Sequence, residues 1–170
     1  MTLTVRDILA VPGLALRPVA GEPSMDRPVR WVHISELEDP TPWLKGGELL
    51  LTTGAGIGTT PARQRGYVGR LVEAGLAGLG FGLGFSHERV PRAVVQAAEA
   101  AGFPLFEVPY PVPFIAITEA VFTRLVAEQY DVLQRALDAE QQLTRAVVEG
   151  EGVQAIAASL ARVIGGWVLL

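Results

Sequence analysis

The chain has 170 residues, 49% hydrophobic and 19% charged, with 19 glycines, 12 prolines and no cysteine. That length buries one good core and the start of a second domain, and the missing cysteines exclude disulfides, thiolate metal sites and cysteine nucleophiles while fitting a reducing compartment. A formal charge of −4 with scattered basic residues, nearly all Arg, argues against a nucleic-acid surface on this segment. No apolar run reaches the roughly 20 residues of a membrane span and no leader pattern opens the chain, so a cytoplasmic protein without a membrane partner is expected.

In chain order, Thr4 to Asp7 has the form of a helix cap, with Val5, Ile8 and Leu9 turned to the core. Leu14 to Ala20 is a strand candidate, and Gly21-Glu22-Pro23 turns the chain. Val29 to Ser35 alternates, placing Val29, Trp31, His33 and Ser35 on one face with Trp31 packed inward. Glu48 to Thr53 is nearly all apolar before it breaks at glycines, as in a strand covered on both faces. Thr60-Pro61 starts a helix that Gly75 ends, Leu76 to Leu83 is a glycine-rich buried strand, Pro91 to Ala101 is a second helix, and Pro104 to Val108 a further strand. Strand, helix, strand, helix, strand implies a small α/β domain whose sheet is mainly parallel and flanked by helices.

From Ile115 to Glu149 there is no Gly or Pro, which predicts one linker helix roughly 50 Å long. Phe122, Val126, Gln129, Leu133, Ala136, Glu140, Leu143 and Val147 follow alternating steps of three and four. They form a seam with two polar interruptions, which predicts a homodimer through this helix. Beyond Gly150-Glu-Gly152, Val153 to Ile164 reads as a helix and Trp167 to Leu170 as the start of a strand, the expected beginning of a second domain cut short. The expected division is a sensor domain over 1–114, the linker over 115–149 and the truncated domain over 150–170.

Ligands of parallel sheets sit beyond the carboxyl ends of the strands. Those ends predict a binding crevice built from Glu36, Thr52, Thr53, Gly54, Gly82, Glu107 and Tyr110 for a small-molecule effector. The acids Glu36, Glu38 and Asp39 are the groups there that would take a cationic or amino-bearing ligand, the alternative being a solvated acidic loop. Catalysis is not expected. His33 and His87 have no nucleophile in an elbow beside them, no spacing of His or acids marks a metal site, and Gly54-Ala-Gly-Ile-Gly58 is neither a P-loop nor a dinucleotide fingerprint. Neither cofactor nor metal is therefore predicted.

Four blocks carry a resemblance: L-T-V-R-D-I-L at Leu3 to Leu9, R-P-V-R-W-V-H-I-S-E-L at Arg27 to Leu37, D-P-T-P-W-L-K-G-G-E-L-L-L-T-T-G at Asp39 to Gly54, and F-P-L-F-E-V-P-Y-P-V-P-F-I-A-I-T-E-A at Phe103 to Ala120. Through them the chain resembles the N-terminal domain of the purine catabolism regulator (PucR) family of bacterial transcriptional regulators. The resemblance implies a sensory input module, which together with the helix seam gives a ligand-sensing and dimerisation module of a transcriptional regulator controlling catabolic genes of purine or nitrogen type. It also implies a helical linker, a GGDEF-like or related domain, and DNA contact only through a C-terminal helix-turn-helix beyond Leu170. Two other readings stand beside it: a pure interaction module built on Trp43 and Leu44, and a nucleotide-substrate accessory domain, since R-W-V-H-I-S-E-L followed by G-G-E-L-L-L-T is similar to the N-terminal domains of Mur ligases.

Overall fold

A computed structural model describes residues 2–148 together with Ala161, so the elements expected over Val153 to Ile164 and Trp167 to Leu170 lie outside the described residues. The chain divides into two units, Met1–Leu125 and Val126–Leu170.

The first unit is an α/β fold around a five-stranded sheet. Helix α1 (Val5–Leu9) is closed by a capping box: the Thr4 hydroxyl accepts from the Asp7 amide at 3.3 Å, and the Asp7 carboxylate accepts from the Thr4 amide at 2.9 Å. Strands β1 (Arg17–Ala20), β2 (Trp31–Ile34), β3 (Glu48–Thr52), β4 (Gly78–Gly82) and β5 (Leu105–Val108) stand in the order β1-β5-β4-β3-β2. From β2 to β5 each strand is parallel to the next, whereas β1 runs antiparallel to β5. Two 13-residue and 9-residue helices, α2 (Pro61–Glu73) and α3 (Arg92–Ala100), make the crossovers from β3 to β4 and from β4 to β5. The β2 to β3 connection contains a 3-10 turn at Thr41–Trp43.

Two cores result, one on each sheet face. Leu50, Leu79, Phe81 and Leu105 pack against Tyr67, Val68 and Leu71 of α2 and Val94 and Ala98 of α3. On the opposite face Val32, Leu49, Leu51, Phe106 and Val108 meet Val5 and Ile8 of α1 and Ile117 and Val121 of α4 (Phe114–Val148). Strand β4 explains the asymmetry. Its side chains Leu79 and Phe81 point to the α2–α3 face, and its alternating glycines point to the other. A Cβ at Gly80 would collide with Leu51 and the Phe106 ring, and one at Gly82 with the Phe114 ring. The glycines therefore open a trough that larger neighbours fill.

Two sequence expectations change. Trp31 does not pack inward: it is 51% exposed, while Val29 and Val32 are buried. The reason is position, since among the described residues β2 is the outer strand and pairs with β3 alone. The Leu14 to Ala20 strand forms over its second half and joins the sheet antiparallel at the other edge.

Candidate functional site

Strand register builds the site. Each residue of β2 pairs with the β3 residue 17 positions later, and the same offset carried past the strand ends sets Glu36 against Thr53. The Glu36 carboxylate accepts from the Thr53 amide at 2.6 Å, the buried Thr52 hydroxyl at 2.9 Å and the Ala55 amide at 3.2 Å. Thr52 Oγ1 in turn accepts from the Gly54 amide at 3.1 Å. Two amides of one turn, those of Thr53 and Ala55, thus converge on an anion, and here the anion is the chain's own carboxylate. The loop also runs so close beneath residue 36 that a Cβ at Gly56 would strike the Glu36 carbonyl. His87 closes the far side, its Nε2 3.3 Å from the Gly54 carbonyl oxygen and its ring 5.6 Å from that of Phe81.

Helix α2 supplies the floor. Thr60 caps it by accepting from the Arg63 amide at 3.3 Å, with Pro61 at the first turn, and this fixes which side chains face the sheet. Tyr67 is buried on that face; its hydroxyl makes no hydrogen bond of good geometry among the described residues but interacts with the side chain of Thr52. Burial pushes the phenol well above its ordinary pKa. One turn on, Arg70 donates from Nη2 to the Glu38 carbonyl oxygen at 2.7 Å, lies 6.0 Å from the centre of the Tyr67 ring, and places Nε 3.6 Å from Asp39 Oδ1. Asp39 accepts from the Thr41 hydroxyl at 2.6 Å and the Thr41 amide at 3.1 Å. These bonds first, and the Arg70 charge after them, hold its carboxyl below the usual range. The acidic triplet is thus tied inward: Glu36 to β3, the Glu38 backbone to α2, and Asp39 to its own turn and to α2.

Of the predicted residues, Glu36, Thr52, Thr53 and Gly54 come together directly. Gly82, the last residue of β4, lies opposite Val108 of β5, against the Phe114 ring. Tyr110 is 64% exposed and packs on Phe85 with ring centres 5.1 Å apart, beside Gly84. Glu107 is half-buried on β5, paired with Phe81 and Arg17. The space over Gly82 is therefore occupied by the chain's own Phe114 ring, whereas Glu107 and Tyr110 are not joined to the Glu36 cluster by any hydrogen bond among the described residues. Among the described residues no three His, Asp or Glu gather as a metal site, and no helix is long and apolar enough to cross a membrane.

Tyr67, Arg70 and His87 were not foreseen. Tyr67 reads in sequence as an ordinary core position, and Arg70 as a surface charge on the same helix. Only the approach of residues 36–39 gives them a shared neighbourhood. A second feature, away from the strand ends, is a cavity of about 160 Å³ lined by Trp31, Val32, Thr118, Glu119, Val121 and Phe122. Trp31 and Phe122 meet edge to face there, with centres 6.2 Å apart. On α4, Phe122, Val126, Leu133 and Ala136 are all exposed, and the helix includes Leu143 and Val147, whose side chains lie outside the described set.

The model of the purine catabolism regulatory protein-like family, PucR, matches residues 7–125, and the chain belongs to that family. The transcriptional activator PmfR of Paenarthrobacter nicotinovorans is 35% identical over 119 residues, covering 70% of this chain and 25% of that protein. The purine catabolism regulatory protein of Bacillus subtilis (strain 168) is 24% identical over 155 residues, covering 91% of this chain and 29% of that protein. The chain thus spans between a quarter and a third of the length of these relatives, the first a transcriptional activator and the second a regulatory protein by name.

Proposed function

We propose that this PucR-family domain is the effector-sensing and dimerisation module of a transcriptional regulator of catabolic genes, of purine or nitrogen type. The division carried by this reading is a sensor over 1–114, a linker and dimer helix over 115–149, and a further domain from 150. DNA binding would belong to a helix-turn-helix outside this chain. The observation that carries the sensing half is the clasp of Glu36 on Thr52, Thr53 and Ala55. It ties the β2–β3 crossover to the end of β3 through bonds that a polar small molecule can replace or extend, next to the buried Tyr67 hydroxyl, which interacts with Thr52. A ligand that binds the open or the closed clasp differentially shifts the population between them, and only that differential affinity counts.

The test is calorimetric titration of the chain with purines, ureides and amino acids, repeated on Glu36→Gln and on Thr52→Val, which removes the hydroxyl that donates to Glu36. The full-length regulator carrying the same changes is then read out on a target promoter. Binding that is weakened by both substitutions, with altered regulation, supports the proposal. No binding by any compound and unchanged regulation would sink it. The dimer half rests on the exposed apolar positions of α4, which repeat at coiled-coil spacing. A pure interaction module is favoured by one observation, the 68% exposure of Trp43. Loss of assembly in Trp43→Ala with no ligand found would favour that reading.

A further inference from the structure

We infer that the groove between β2 and the start of α4 is the sensor-domain end of a two-fold contact with a second copy of this chain. The inference rests on the dimer reading above and extends it from the linker onto the sheet edge. Stepping back by seven residues from Val126 and Phe122 along α4 reaches Glu119 and Ile115. Glu119 and Phe122 line the groove, and Ile115 is exposed. The repeat that pairs two copies of the helix therefore runs into the groove rather than stopping short of it. The inward face of these turns is already committed, through Ile117 and Val121, to the chain's own core.

The occupant follows from the repeat. Apolar positions spaced in this way find their match on an identical helix in register, and a two-fold axis then lays the same patch upon itself. Trp31 and Phe122, each about half exposed, are held edge to face on that patch. Among the described residues strand β2 leaves one edge unpaired, and such edges are commonly covered. Glu119 gives the contact a signature. Placed on the seam, it faces its own counterpart, and like charges at close range oppose association. A groove built for another partner would carry no such self-repulsion.

Sedimentation equilibrium of the 170-residue chain over a concentration series tests this, with circular dichroism to confirm folding. Trp31→Ala should raise the dimer dissociation constant tenfold or more, Glu119→Gln should lower it several-fold, and Trp43→Ala should leave it unchanged. A wild-type dimer whose dissociation constant stays within twofold in both Trp31→Ala and Glu119→Gln overturns the inference and leaves helix pairing intact. A wild-type chain that stays monomeric at every concentration overturns the dimer reading and the inference with it.

Discussion

Removing the Glu36 carboxylate should loosen the clasp by an amount that the structure lets one estimate. In Glu36→Ala the buried Thr52 hydroxyl loses its acceptor, which costs about 1–3 kcal/mol for an orphaned donor. Thr53 and Ala55 sit on a loop that water reaches, so their amides exchange a carboxylate for solvent and add at most about 1 kcal/mol together. A total near 2 kcal/mol corresponds to a fall in Tm of about 4–8 °C for a chain of this size. Glu36→Gln keeps one acceptor oxygen in place and should lose about half of that. Thermal melts give the ranking, and hydrogen exchange locates it: the amides of Thr53 and Ala55 should be protected in the wild type and unprotected in Glu36→Ala. A Glu36→Ala melt within about 1 °C of wild type, or unprotected amides in the wild type, would refute the clasp as a structural element.

Tyr67→Phe removes a buried hydroxyl that makes no hydrogen bond of good geometry among the described residues. Its polar interaction is with the Thr52 side chain, which keeps Glu36 as its own acceptor, so urea denaturation should show a change within about 1 kcal/mol of zero. A larger loss would mean that the hydroxyl is bonded in solution. Thr4→Ala should cost about 1 kcal/mol through the lost cap of α1. The same box sets a pH dependence. Hydrogen bonds from the Thr4 hydroxyl and amide lower the Asp7 carboxyl in the folded chain. Its contribution is therefore complete above the unfolded value of about 3.9 and is lost as pH falls through the folded one. Asp7→Asn should flatten the stability profile in that acid range, as read by melts between about pH 2 and pH 5.

How far the sequence led depends on whether the signal was local. The caps at Thr4 and Thr60, the apolar run of β3 and the uninterrupted stretch that became α4 are each encoded within a few neighbouring residues, and each formed where its pattern lay. The direction of β1 and the exposure of Trp31 are not local, because alternation gives a strand two faces without saying whether it stands at an edge. The clasp lay between these cases. Glu36, Thr52, Thr53 and Gly54 could be named from the strand-end rule, but their bonds follow from a 17-residue register that no local pattern records. Tyr67 and Arg70 belong to the site for the same reason, since residues 36–39 reach α2 only after β2 and β3 have paired.

Register also says how the two proposed halves of the module would communicate. Thr52, which carries the clasp, follows Leu51, and adjacent residues of a strand point to opposite faces. Leu51 and Leu49 lie in the same core as Ile117 and Val121 of α4, whereas Leu50 packs on the α2 side with Tyr67. A rearrangement at the clasp therefore acts on the strand whose other face supports the first turns of α4. The glycines of β4 sharpen this, because with no side chain of β4 on that face, Leu51 and Phe106 fill the space where a larger β4 residue would stand. A double-mutant cycle between Glu36→Gln and Leu51→Val measures the link directly. A coupling of about 0.5 kcal/mol or more in stability is expected for a shared strand, and strict additivity would show that clasp and helix core respond independently.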